Sequence, residues 1–216
     1  MIDNIQKKLS AFGRVRQRDM GRFASVKKGL TSYTFSAYET AGTVRFSVIR
    51  MKAFFGLMKM ESLVVSPLTK DAPMMSADYI RAFGKETLIL EFYDLTLRPT
   101  GDTDAFLTIR DSCRDLPDTT LSERWYDTLK LRGSIAKKGK KLTARYADLC
   151  ERYAKAYIDL VKNAPDCEKA EKQSCLRDYV EGMFVNGSPT VEVFSRLLDR
   201  ASARELYGRF LFASED

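Results

Sequence analysis

The stretch Thr43-Val44-Arg45-Phe46-Ser47-Val48-Ile49-Arg50 decides the fold. Val44, Phe46 and Val48 recur with a period of two, the mark of a strand with one buried face. Working outward, residues 33–38 and 57–65 show the same enrichment in β-branched and aromatic side chains, and Ala41-Gly42 reads as the turn between the first two strands. Residues 77–83 and 87–95 supply two more strands, joined at Gly84-Lys85 as a tight hairpin. Five strands linked by short turns, with no helical segment between them, predict a mainly antiparallel meander and exclude a βαβ pattern.

The second half changes period. Tyr146, Leu149, Tyr153, Ala156, Tyr157 and Leu160 repeat every three or four residues, which predicts a helix over 142–163 that ends before Pro165. A second helix is expected over 168–184. A third opens at Ser188-Pro189, an N-cap residue followed by proline at the first helical position, and carries Val191, Phe194, Leu197 and Leu198 inward. A last helix runs through Leu206, Phe210 and Leu211. Residues 2–25 read as a further helix weakened at Gly13 and Gly21. The 99–123 stretch, with Pro99, Gly101 and Pro117, reads as loop. Strands followed by helices give an α+β class with helices covering the sheet, expected as one domain over residues 1–216.

Composition narrows the chemistry. The 216 residues are 44% hydrophobic and 30% charged, with a net charge of +7. That balance suits a folded chain with an ample core. Histidine is absent, which removes Ser-His-Asp and Cys-His catalysis and His-ligated zinc. The four cysteines form no C-x-x-C pair and read as reduced thiols. No G-x-G occurs, so neither a dinucleotide fingerprint nor a Walker loop is present. With no apolar leader and no stretch of spanning length, a cytoplasmic protein without a membrane partner is expected.

Charge is uneven along the chain. Residues 1–30 carry a net +6 and residues 124–146 a net +7, so the remainder sums to −6. These segments are either solvated faces or a landing patch for an acidic partner. Asp78, in Pro73-Met74-Met75-Ser76-Ala77-Asp78-Tyr79-Ile80, opens a strand among apolar residues. Facing inward it would be a proton donor of raised pKa; facing outward it would be a solvated or turn-capping carboxylate.

Several short motifs, in order, carry a resemblance. They are Met60-Glu61-Ser62-Leu63-Val64-Val65-Ser66-Pro67, then Ala72-Pro73, then Ser76-Ala77-Asp78-Tyr79, then Thr87-Leu88-Ile89-Leu90-Glu91-Phe92. Asn186-Gly187-Ser188 and Glu205-Leu206-Tyr207-Gly208-Arg209-Phe210-Leu211-Phe212 follow near the end. Across most of residues 33–212 the chain resembles the ferredoxin-dependent bilin reductases. The resemblance implies a three-layer α/β/α sandwich around a central, mainly antiparallel sheet. It implies a linear tetrapyrrole, such as biliverdin, held between the sheet and the C-terminal helices. It also implies that no metal or flavin is bound and that single electrons come from a small acidic reduced ferredoxin. Asp78 matches the family's strand aspartate, which implies that it is the proton donor; a rigid strand suits a donor whose selectivity depends on position.

Cations are needed for the propionates of a bilin. Arg132, on a strand expected over 129–135, and Arg50, at the end of the second strand, are the candidates by charge. Two departures stand out. Ser62 occupies the place where some members carry histidine, and a hydroxyl is a poor acid. Asn186 stands where many members carry aspartate; it could hydrogen-bond a pyrrole or lactam group or simply end a helix. The resulting expectation is a monomeric bilin reductase, with a non-catalytic tetrapyrrole-binding protein of the same fold as the second reading. A nucleic-acid partner is not expected, because the basic clusters lack interleaved aromatics.

Overall fold

The alternating first half of the chain supplies seven strands of one eight-stranded sheet, and the eighth comes from the second half. The computed structural model describes residues 1–98 and 103–215, so Pro99 and Gly101 of the expected loop lie outside the described residues. The strands are β1 (Val15–Arg18), β2 (Ser25–Lys28), β3 (Thr31–Thr40), β4 (Val44–Ala53), β5 (Met58–Pro67), β6 (Met74–Ala82), β7 (Lys85–Tyr93) and β8 (Ile135–Gly139). From β3 to β8 they lie side by side in chain order, all antiparallel. β1 and β2 share the outer edge of β3.

Residues opposite one another in an antiparallel sheet share a face, so register decides which side chains meet. Val48, Leu63, Ala77 and Leu90 form one row across β4 to β7. That face is sealed by α1 (Ile2–Lys8), α2 (Asp104–Asp111) and α3 (Thr143–Asn163) in one core. The opposite face carries Phe35, Ile49, Val64, Met74 and Tyr93. It is covered by α4 (Lys169–Val185), α5 (Pro189–Leu197), α6 (Arg200–Glu205) and a wide helical turn over Leu206–Leu211. The result is a helix, sheet, helix sandwich, with an antiparallel central layer of α+β class.

Four expectations need correction. The 99–123 stretch is not all loop: Asp104–Asp111 folds as α2, where the Thr103 hydroxyl accepts from the Phe106 N–H as an N-cap and Phe106 and Ile109 are buried. The N-terminal helix stops at Lys8 rather than running to residue 25. Gly13 adopts φ 125°, which a helix cannot use, and the chain beyond it finds its hydrogen bonds on the free edge of β3 instead. The strand expected over 129–135 begins only at Ile135. Residues Trp125–Leu129 form a tight helical turn, and only Lys130 bridges to β7 before the chain bends at Gly133. A Cβ at Gly133 would stand 2.4 Å from Phe106, so α2 sits directly on this backbone. The hairpin placed at Gly84-Lys85 turns one residue earlier, at Phe83-Gly84, where both φ angles are positive.

A buried cation fastens the second helical layer. Lys172, in the first part of α4, is 1% exposed. Its ammonium donates to the Ala72 carbonyl at 2.8 Å and the Leu95 carbonyl at 2.6 Å, and lies 3.6 Å from the Asp71 carboxylate. Asp71 in turn accepts from the backbone N–H groups of Leu97 and Arg98. Truncating one member of such a pair strands the other in a dry interior. Lys172→Ala is therefore expected to lower unfolding stability by about 3–5 kcal/mol, read as a shift of the urea midpoint.

Candidate functional site

Two adjacent rows on the face of the sheet beneath α4 and α5 carry polar side chains among apolar ones. One row runs Ile49, Ser62, Asp78, Ile89 and the next runs Ser47, Val64, Ser76, Glu91. Ser62, Asp78, Ser76 and Glu91 thus stand together on the floor of a cavity of about 110 Å³. Its walls are largely aromatic: Tyr93 from the sheet, Tyr126 from the helical turn before β8, Tyr179 from α4, Phe194 from α5, and Tyr207 and Phe212 from the C-terminal segment.

Glu91 is 3% exposed, in the middle of β7. Burial alone would raise its pKa. The Arg124 guanidinium grips both carboxylate oxygens, the Tyr93 hydroxyl donates at 2.6 Å and the Lys130 ammonium at 3.1 Å. Together these leave Glu91 below the usual carboxylate range and ionised. Asp127 pairs with both cations at 3.0 Å, so the cluster is locally neutral. Arg124 also lies over the Tyr126 ring, 4.8 Å from its centroid.

Asp78 has no such partner. Protein packs around it, and its residual exposure is onto the cavity. Burial pushes its carboxyl up to about 6. The Ser62 hydroxyl beside it favours the ionised form, the Glu91 charge adds to the rise, and Arg124 draws it back. A carboxyl raised this far exchanges its proton within about a unit of neutral pH: it is mostly protonated below about pH 6 and can release the proton without a large penalty. The surrounding phenols of Tyr93, Tyr126, Tyr179 and Tyr207 are all raised by burial, so they remain donors of hydrogen bonds rather than anions.

The structure therefore brings Asp78 and Ser62 together, in direct register on β6 and β5. It does not bring Arg50, Arg132 or Asn186 to them. Arg50 lies on the opposite face of the sheet, paired with Asp3 of α1. Arg132 is exposed on the bend before β8, where its carbonyl accepts from Arg110. Asn186 is exposed at the C-terminal end of α4. Its neighbour Ser188 precedes α5 as expected but does not cap it; its hydroxyl lies 3.1 Å from that of Thr190. Sequence reasoning missed Glu91 and Arg124. Glu91 was open to the argument used for Asp78, being a carboxylate between Leu90 and Phe92 in an apolar strand. Arg124, 33 residues away from Glu91, gave no local signal.

No family model matches the chain, and no curated protein matches it by sequence. Among solved structures it is similar to selenomethionine-substituted phytochromobilin synthase from tomato in complex with biliverdin. The match has a TM-score of 0.75 at 14% identity and covers 99% of this chain and 82% of that one. Among the described residues no helix is long and apolar enough to cross a membrane.

The site makes a prediction about stability. Asp78 holds its proton more tightly folded than unfolded, so the folded state loses stability as pH rises from about 4 to about 6 and no further above that. Asp78→Asn is expected to abolish this slope and to gain about 3 kcal/mol at pH 7, measured by urea denaturation across pH 4–8. A slope unchanged in the variant would place the titrating group elsewhere. On this evidence the chain has the α+β fold of that phytochromobilin synthase, an antiparallel sheet between two helical layers.

Proposed function

We propose that this protein reduces a biliverdin-like linear tetrapyrrole by protonating it at Asp78 while single electrons arrive from reduced ferredoxin, without a resident metal or flavin. The observation that carries the proposal is a carboxyl of pKa about 6, free of a salt bridge, on the floor of an aromatic-walled cavity in this fold. Catalysis by such a site is positional: the acid sits on a rigid strand, and the ring it meets fixes where hydrogen is added. Single-electron reduction makes the pigment electron-rich, and Asp78 supplies the proton that neutralises it. Ser62 steadies the carboxylate left behind. Glu91, held ionised, serves the polarity of the cavity rather than proton transfer. The uneven basic charge would steer an acidic electron donor.

Two features of the cavity shape this reading. At about 110 Å³ it is smaller than the several hundred Å³ that enclose drug-sized ligands, so a tetrapyrrole requires α5 and the C-terminal turn to move outward. Asp78 is also the one cavity carboxyl poised to carry a proton, since Glu91 is ionised. That favours the second reading to this extent: with a single donor, the protein either stops after one protonated position or holds the pigment without turnover.

Biliverdin titrated into the protein is expected to shift its visible absorption, and anaerobic addition of a reduced ferredoxin system should then bleach or move that band. Asp78→Asn is expected to keep the first change and to slow the second by about 10²–10⁴-fold. Binding without reduction by the unmodified protein would select the non-catalytic reading. Absence of any absorption change would sink both.

A further inference from the structure

One end of the sheet violates the rules that govern the rest of the chain. Three neighbouring hairpin tips, β2–β3, β4–β5 and β6–β7, all point the same way. They expose Phe55 at 91%, Phe83 at 70%, Leu57 at 64%, Leu30 at 57% and Phe54 at 48%. Phe54, Phe55 and Phe83 also adopt φ values of 50°, 56° and 50°, a left-handed conformation that disfavours bulky side chains. The Phe54 and Phe83 rings lie 6.3 Å apart across two tips. Neither burial nor backbone preference accounts for aromatic rings at these positions. Contiguous exposed apolar surface of this kind marks a contact.

The charges beside the rings break a second rule. Lys52 lies directly opposite Lys59, and Lys59 directly opposite Arg81, so three cations stand in a row across β4, β5 and β6. Like charges so placed destabilise a sheet. Two concavities flank the Phe55-Gly56 tip. One, of 440 Å³, includes Lys27, Lys52 and Lys59; the other, of 610 Å³, includes Lys59, Arg81, Lys85 and Lys141. The acidic residue in these linings, Glu86, ends the row opposite Arg81 and offsets that one cation in part; it is buried and also accepts from Leu142, Thr143 and Tyr79, so Lys52 and Lys59 face each other without an acid between them.

We infer that this end of the sheet docks onto an anionic lipid bilayer, with the phenylalanine and leucine tips entering the headgroup layer and the flanking lysines and Arg81 contacting lipid phosphates. An apolar prow between two cationic hollows matches the two layers of such a surface, an acyl boundary behind a plane of negative charge. That the described residues include no helix long and apolar enough to span a membrane does not bear on this, because a peripheral contact needs none. None of these residues lines the Asp78 cavity, so the contact is independent of the proposed chemistry.

The test is co-sedimentation with vesicles of phosphatidylcholine alone and of phosphatidylcholine mixed with phosphatidylglycerol. The protein is expected to pellet with the mixed vesicles, to stay free of the neutral ones, and to be released as salt rises from about 0.1 M to about 1 M. The double variant Phe55→Ser, Phe83→Ser should weaken binding at least about tenfold with an unchanged urea midpoint. Lys59→Glu should weaken it similarly while raising that midpoint, because it relieves the row of like charges. Three results would overturn the inference: equal partition onto neutral vesicles, unaltered binding by both variants, or no vesicle binding while the rings mediate self-association or capture of an acidic protein.

Discussion

A carboxylate in the middle of an apolar strand sets the terms for one half of this molecule. Glu91 sits between Leu90 and Phe92 with 3% of its surface exposed. Unaccompanied, it would take up a proton. Arg124, Lys130 and Tyr93 hold it ionised instead, and two of those three arrive from the segment before β8. The pairing therefore does more than neutralise a charge. It pins the helical turn Trp125–Leu129 against the sheet and so places Tyr126 in the cavity wall. Trp125 then fills the space beside Gly182 on α4, where an added Cβ would come within 2.3 Å of its ring. Helix, turn and strand close around one ion pair, and the cavity is the gap they leave.

The same pairing explains why two carboxylates on adjacent strands, both facing that gap, are shifted in opposite directions from the usual carboxylate range. Glu91 takes the cations. Asp78 has the Ser62 hydroxyl beside it and Arg124 only at a distance, while the Glu91 charge itself disfavours a second anion. Environment alone separates the two groups, which is how one site comes to contain both a fixed charge and a releasable proton. The floor of the cavity is thus specified by register: moving β6 by one residue against β5 would turn Asp78 onto the α3 face and Ala77 into the cavity.

Register and alternation are also why much of the fold was legible in the sequence. The strand positions of Val44, Phe46 and Val48, the helical repeat of Tyr146, Leu149, Tyr153 and Tyr157, and the proline after Ser188 are local signals, and each element they mark is present. The N-terminal segment was misread because the sheet edge that captures Val15–Arg18 is Ala37–Thr40 of β3, beyond the reach of a local pattern. Arg50 and Arg132 were chosen by sign of charge, which carries no information about face, and both lie away from the cavity. Asp78 was legible through motif order. Glu91 with Arg124 was not, because a buried pair formed across the chain leaves each residue looking ordinary in its own neighbourhood.

Where a chain departs from what folding rewards, the departures locate its work. Most of this sheet obeys the rules: rows of matched apolar side chains, sealed on both faces. It departs in two places. In the centre, a carboxyl with no ion-pair partner is kept facing a cavity, at the expense of stability as pH rises toward about 6. At one end, opposed cations and left-handed phenylalanines are kept in solvent, where glycine or asparagine would serve the turns better. Neither departure compensates the other, since β5 and β6 carry Asp78 and Ser62 on one face and Lys59 and Arg81 on the opposite one. The alternation of a β-strand is what lets two adjacent strands present these two sets of side chains independently, one on each face.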